Sequence, residues 1–531
     1  GNDLQGNITT DDAVTLHGTG IGTLTVNAGS TLTLNGDLTA SGLVTNNNTI
    51  AIADNTLTAT AGGITGGTVT IGNGTLDATG TISTLASTGN ATVDGNTGLI
   101  ITGDSSGNLT TDNAVTLHGG GIGTLTVNAG STLTLNGALT ASGAITNNDT
   151  ITVGGNALEG ASINSTGTVN ISTGGSITAA GTITTLTVSA AGDNITLDGN
   201  GGLTIGNDLQ GNITTDDAVT LHGGGIGTLT VNVASTLTLN GALTASGAIT
   251  NNDTITVGGN ALEGASINST GTVNISTGGS ITAAGTITTL TVSAAGDNIT
   301  LDGNGGLTIG NDLQGNITTD DAVTLHGTGI GTLTVNAGST LTLNGDLTAS
   351  GLVTNNNTIA IADNTLTATA GGITGGTVTI GNGTLDATGT ISTLASTGNA
   401  TVDGNTGLII TGDSSGNLTT DNAVTLHGGG IGTLTVNAGS TLTLNGALTA
   451  SGAITNNDTI TVGGNALEGA SINSTGTVNI STGGSITAAG TITTLTVSAA
   501  GDNITLDGNG GLTIGNDLQG NITTDDAVTL H

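Results

Sequence analysis

Lysine, arginine, proline, cysteine, methionine, phenylalanine, tryptophan and tyrosine are all absent from this chain of 531 residues, and each absence removes a class of chemistry. Without Lys or Arg there is no basic surface to neutralise phosphates, and without aromatic rings nothing stacks on bases, so nucleic-acid binding is excluded. Attraction to anionic lipid headgroups fails for the same reason. Apolar runs last only a few residues, too short for a helix across a bilayer. The lack of Cys rules out disulfides and thiolate metal sites and leaves the compartment open. Missing Pro suits a chain in which every backbone N–H is needed in a strand ladder.

What remains is acidic, glycine-rich and periodic. There are 97 Gly, and the net charge is −36. Hydrophobic residues make up 34% of the chain, and Ile, Leu and Val alternate with Thr too regularly for a disordered linker. Residues 310–531 repeat residues 1–222 letter for letter. The histidines His17, His118, His222, His326, His427 and His531 are spaced by 101, 104, 104, 101 and 104 residues. One continuous array over 1–531 is therefore expected, with units 1–101, 102–205, 206–309, 310–410 and 411–514 and a partial unit 515–531. Residues 515–531 match 1–17, so the chain is expected to be a fragment of a longer array.

Inside a unit the alternation breaks at Asn/Gly clusters roughly every 18–26 residues. Laying segments 30–47, 48–67, 68–89 and 90–108 start to start puts Leu32 and Leu34 over Ile50 and Ile52, then Val69 and Ile71, then Ala91 and Val93. Residues two apart on a strand share a face, so these form one apolar ladder, with Thr31, Thr33, Thr49, Thr68, Thr70 and Thr92 on the other side. Asn46-Asn47-Asn48, Gly66-Gly67, Gly72-Asn73-Gly74 and Gly199-Asn200-Gly201-Gly202 are the predicted corners. The pattern predicts an all-β parallel β-solenoid with about five coils per unit, right-handed by the rule for parallel crossovers. Tandem β-sandwich domains are the alternative, since ~100 residues is also their size. Such domains fill a wider core with aromatic side chains, which this chain lacks.

Segments such as Gly36-Asp37-Leu38-Thr39-Ala40-Ser41-Gly42-Leu43-Val44-Thr45-Asn46-Asn47-Asn48-Thr49-Ile50, with their counterpart from Leu139 to Ile151, resemble the coils of filamentous-haemagglutinin-like and autotransporter passenger proteins. The likeness covers the whole chain. It implies a secreted bacterial β-helix at the cell surface, acting as an adhesin or stalk. Near-identical units without Lys, Arg or aromatics favour a spacer or self-assembling filament, associating end to end or laterally.

The acidic residues are the candidates for chemistry. Asp11-Asp12 and Asp216-Asp217 are the visible carboxylate pairs, and Glu occurs only at Glu159, Glu263 and Glu468. Adjacent residues on a strand point to opposite faces, so neither Asp pair supplies an acid and base to one site, and no enzyme activity is expected. The histidines lie about five coils apart, too far to share a metal. Calcium is the one plausible cofactor. Gly206-Asn207-Asp208-Leu209-Gln210-Gly211-Asn212 resembles half of a Gly/Asp calcium nonapeptide, and Asp193, Asp198 and Asp208 are the candidate ligands. Pairs such as Thr31/Thr33, Thr68/Thr70 and Thr124/Thr126 offer a hydroxyl–methyl lattice, which makes ice or a surface glycan the alternative partner.

Overall fold

The computed structural model describes residues 4–531, and among them every regular element is a β-strand. The chain is a parallel β-solenoid of about 29 turns that recur about 18 residues apart. It divides into two compact units, 1–271 and 272–531, and each is built the same way.

Three strands make one turn in the first unit, and each stacks in register on the equivalent strand one turn later. The first face descends from Ile8 through Leu24, Val44 and Ile64 to Gly80, Leu99 and Val115. The second runs from Val14 through Leu32, Ile50, Val69 and Leu85 to Ser105. On the third, Leu38, Leu57, Leu76 and Val93 follow one another. The second unit repeats the scheme, for example from Val323 through Leu341, Ile359 and Val378 to Leu394.

The period of two explains why these sequences form these strands. In Thr132–Leu135, Leu133 and Leu135 point inward and the threonines outward. Leu133, Ile151 and Val169 are fully buried. Three converging faces leave a narrow interior that Leu, Ile, Val and Ala fill, which gives a physical reason for the missing aromatics. β-Branched Thr on the outer face suits the pleat.

The alignment predicted from segment starts holds for Leu32, Ile50 and Val69 and then fails. Below Val69 sits Leu85, not Ala91, and Val93 stacks on Leu76 on a different face. Steps as short as 15 residues, Gly107 to Ile122, and as long as 22, Gly181 to Leu203, occur. Some corners carry only a lone glycine, Gly160 or Gly167, because one strand bends through them. Ala157–Ile171 is continuous, and its pairing to the next turn shifts register between Glu159 and Ser162 and between Ser165 and Thr168.

Predicted corners act by two means. Gly66, Gly67, Asn200, Gly201 and Gly202 have positive φ, the region Gly and Asn tolerate. Gly74 does not, and is required for closeness: a Cβ there would lie 2.2 Å from the Asn55 carbonyl oxygen. Asn46 works through its side chain, which donates to the Thr68 carbonyl at 2.9 Å and accepts from the Asn48 N–H at 3.2 Å.

Candidate functional site

Stacked turns bring like residues together, and one acidic result is a corner column in the first unit, with an equivalent at Asp386, Asp403 and Asp421 in the second. Asp77, within Thr75–Ile82, and Asp94 and Asp112, which end their strands, stack on successive turns, in register. Two unit charges one turn apart, ~4.8 Å, repel by roughly 1 kcal/mol in water. An asparagine from the next turn answers each carboxylate. Asn96 donates to Asp77, Asn113 to Asp94 at 2.8 Å, and Asn128 to Asp112 at 2.8 Å. Asp198 and Asp216 form a shorter column, with Asn232 donating to Asp216 at 2.8 Å. These columns were not visible in the sequence, because Asp77, Asp94 and Asp112 fall together only at steps of 17 and 18 residues.

The three candidate calcium ligands are placed apart. Asp193 lies in the turn before Asn194–Asp198, where its carboxylate accepts from the Thr173 hydroxyl and from the Ala190 N–H at 2.9 Å. Asp198 ends that strand and accepts from the Asn200 N–H at 3.1 Å. Asp208 belongs to Leu203–Leu209, and its Oδ1 lies 2.9 Å from His222 Nδ1. Among the described residues no three His, Asp or Glu side chains gather as a metal site.

The segment that suggested calcium instead opens a groove. The turn from Gly181 to Leu203 is long, and the chain bulges at Asn207 away from the strand above. Two side-chain amides complete the interrupted ladder: Asn207 accepts from the Leu186 N–H at 2.8 Å and donates to the Leu186 carbonyl at 3.0 Å, and Gln210 donates to the Val188 carbonyl at 2.7 Å. That satisfies backbone groups the bulge would otherwise leave unpaired. The space left beside them, about 360 Å³, is lined by Thr187, Asp208, Gln210 and Gly225 among others. Two equivalents occur in the second unit, at Asp312 and Asp517. Each groove is open and shallow.

Four histidines, His118, His222, His326 and His427, are partnered by nearby carboxylates. His118 Nδ1 lies 3.3 Å from Asp104, and His326 Nδ1 lies 2.9 Å from Asp312. In the His222–Asp208 pair the side chains are 56% and 68% exposed, so water screens the contact and its contribution to stability is small. Of the adjacent pairs, Asp11 accepts from Asn27 at 2.6 Å and Asp216 from Asn232, so one carboxylate of each pair ties successive turns together. Glu159 accepts from the Thr140 hydroxyl at 3.1 Å, and Glu263 does the same from Thr244 at 3.2 Å.

The outward threonines form the most regular surface. Thr132, Thr150, Thr168 and Thr185 stack in one file on the first face. Thr134, Thr152, Asn170 and Thr187 stack beside them in a second file. Seven of these eight side chains are Thr, one is Asn, and none is charged. Compared with known protein families, with curated proteins and with solved structures, the chain matches none.

Proposed function

We propose that this chain is a non-enzymatic structural segment of a bacterial extracellular fibre or stalk, of the filamentous-haemagglutinin or autotransporter-passenger kind, and that it self-associates. The supporting observation is the uniformity of the stack. Near-identical units of 101 or 104 residues follow one another with an aliphatic interior, and side-chain amides such as those of Asn207 and Gln210 mend the ladder where a turn bulges. A scaffold needs such repetition, whereas a catalytic centre needs local departure from it.

Charge sets the conditions for assembly. With no cation to balance 36 carboxylates, neighbouring chains repel at low salt. Divalent cations, calcium first, relieve that repulsion at corner carboxylates such as Asp11, Asp12, Asp193 and Asp198. The test is immunogold labelling of the source cells with antibody raised against the chain. Label on filaments outside the envelope is the expected result, and label confined to the cytosol refutes the proposal.

A further inference from the structure

The sequence repeat and the structural turn are out of phase. From Val14 the second face descends five steps to Ser105, and Val115, the same residue of the next sequence unit, comes two faces later, on the first face. From Val115 the first face descends through Leu133, Ile151 and Val169 to Leu186. Val219, the next equivalent, lies on the third face below Leu203. Each sequence unit therefore makes five and two-thirds turns, and everything it carries is turned by one face relative to the unit before. The second unit behaves alike: Val323, Val424 and Val528 pair in three different stacks, below Leu307, Leu408 and Leu512.

The two-file threonine lattice follows this rotation. It lies on the second face at Thr31/Thr33 and Thr68/Thr70, on the first face at Thr132/Thr134 and Thr150/Thr152, and on the third at Thr236/Thr238 and Thr254/Thr256. Its carboxylates stay at strand ends, as Asp149 does before Thr150. Charged side chains in mid-strand, such as Asp77, Glu159 and Glu263, lie on other faces at those levels.

We infer that the threonine lattice is the lateral docking surface for a second copy of this chain, and that its rotation by one face per unit directs assembly to three sides. This rests on the self-associating fibre proposed above. Three observations favour a second copy. The lattice is uncharged in a chain that otherwise repels itself. Only an object with the same axial period, ~4.8 Å, meets every rung at once, and another copy has it. A flat external solid touches one side and leaves the lattices on the other two sides unused, whereas neighbours on all sides use all three. Size then sets the mode of assembly. Five rungs of ~4.8 Å by a strand of ~13 Å give roughly 300 Å² per chain, well below the ~800 Å² per partner of a stable pair. A single contact does not hold a dimer. Contacts in three directions, at levels about 27 Å apart along the axis, accumulate only in a bundle, so assembly is cooperative.

The experiment is light scattering and sedimentation of the full chain across stepwise CaCl2 and NaCl, with electron microscopy of the products. A lattice variant carries Thr33→Gln, Thr134→Gln, Thr238→Gln, Thr342→Gln and Thr443→Gln. A control carries the same change off the lattice, at Thr25, Thr126, Thr230, Thr334 and Thr435, and far-UV circular dichroism confirms that both fold. The expected result is a direct passage from single chains to thick bundles in wild type and control, with the lattice variant still single at tenfold higher calcium. Equal bundling of all three assigns assembly to the carboxylates and overturns the lattice while leaving the fibre intact. A stable discrete dimer overturns the small-contact argument. Ice shaping or glycan binding by the wild type, lost in the lattice variant, gives the surface to an external partner and overturns the inference. Single chains under every condition overturn the inference and self-association together.

Discussion

Replacing Ala234 with glycine isolates a backbone effect, because this position breaks a rule its equivalents keep. Gly29, Gly130, Gly338 and Gly439 occupy the same corner with φ between 83° and 88°. A Cβ at any of them meets nothing within 4 Å. Ala234 holds φ 66°, and its N–H still donates to Asp253 at 3.0 Å, as Gly130 donates to Asp149 at 2.9 Å. The hydrogen bond is thus common to both, and the left-handed conformation is what differs. An L-residue there costs roughly 1–2 kcal/mol. Glycine gives back ~0.4–1 kcal/mol through its more disordered unfolded chain. Ala234→Gly should therefore stabilise this corner by ~0.5–1 kcal/mol, and Gly130→Ala should destabilise its own by the same amount. In a stack that unfolds locally the effect is confined to nearby turns. Hydrogen exchange read by mass spectrometry should show peptides around 231–237 protected about 2–5-fold more in Ala234→Gly, as that energy implies. Unchanged or faster exchange there, or a Gly130→Ala chain as protected as wild type, refutes the strain argument.

Leu133→Ala should cost ~2–5 kcal/mol by opening a cavity in the interior, while Thr134→Ala one residue on should cost under ~1 kcal/mol; local exchange rates compare the two. Asn147 is fully buried and donates to the Ser165 hydroxyl at 2.9 Å and to the Thr168 carbonyl at 3.1 Å. Asn147→Asp removes both donations and buries a carboxylate, so turns 145–168 should lose protection by at least ~1–3 kcal/mol. At low ionic strength, chelation should lower the melting temperature, and calcium should restore it more effectively than sodium of equal ionic strength. A melting curve indifferent to both leaves the carboxylates as a solvated face.

The solenoid was legible in the sequence because a period of two survives in any buried strand, and the aliphatic interior left no doubt about which side faces in. The length of a turn was harder to read. Asn/Gly clusters mark corners such as Gly66-Gly67, but Ile82-Ser83-Thr84-Leu85 passes from the first face to the second without one. Corner signals alone therefore merge a turn with its neighbour and make a repeat of 101 residues a whole number of coils. Everything that depends on phase followed from that. Asp77, Asp94 and Asp112 do not line up until the step is right, and Asp193, Asp198 and Asp208 look like neighbours only while the chain is written in a line. The amides of Asn207 and Gln210 complete the ladder across a bulge, a role that needs the fold to be seen.

Because the chain has no native cysteine, its register can be tested with engineered pairs. Thr70 and Ala86 are direct partners across one turn, a Cα separation that suits a disulfide, whereas Thr92 pairs with Thr75 on another face. Mild oxidation should cross-link the Thr70→Cys/Ala86→Cys chain within the molecule and leave Thr70→Cys/Thr92→Cys reduced. Cross-linking of the second pair and not the first contradicts the 16-residue turn, and with it the rotation of each repeat by one face.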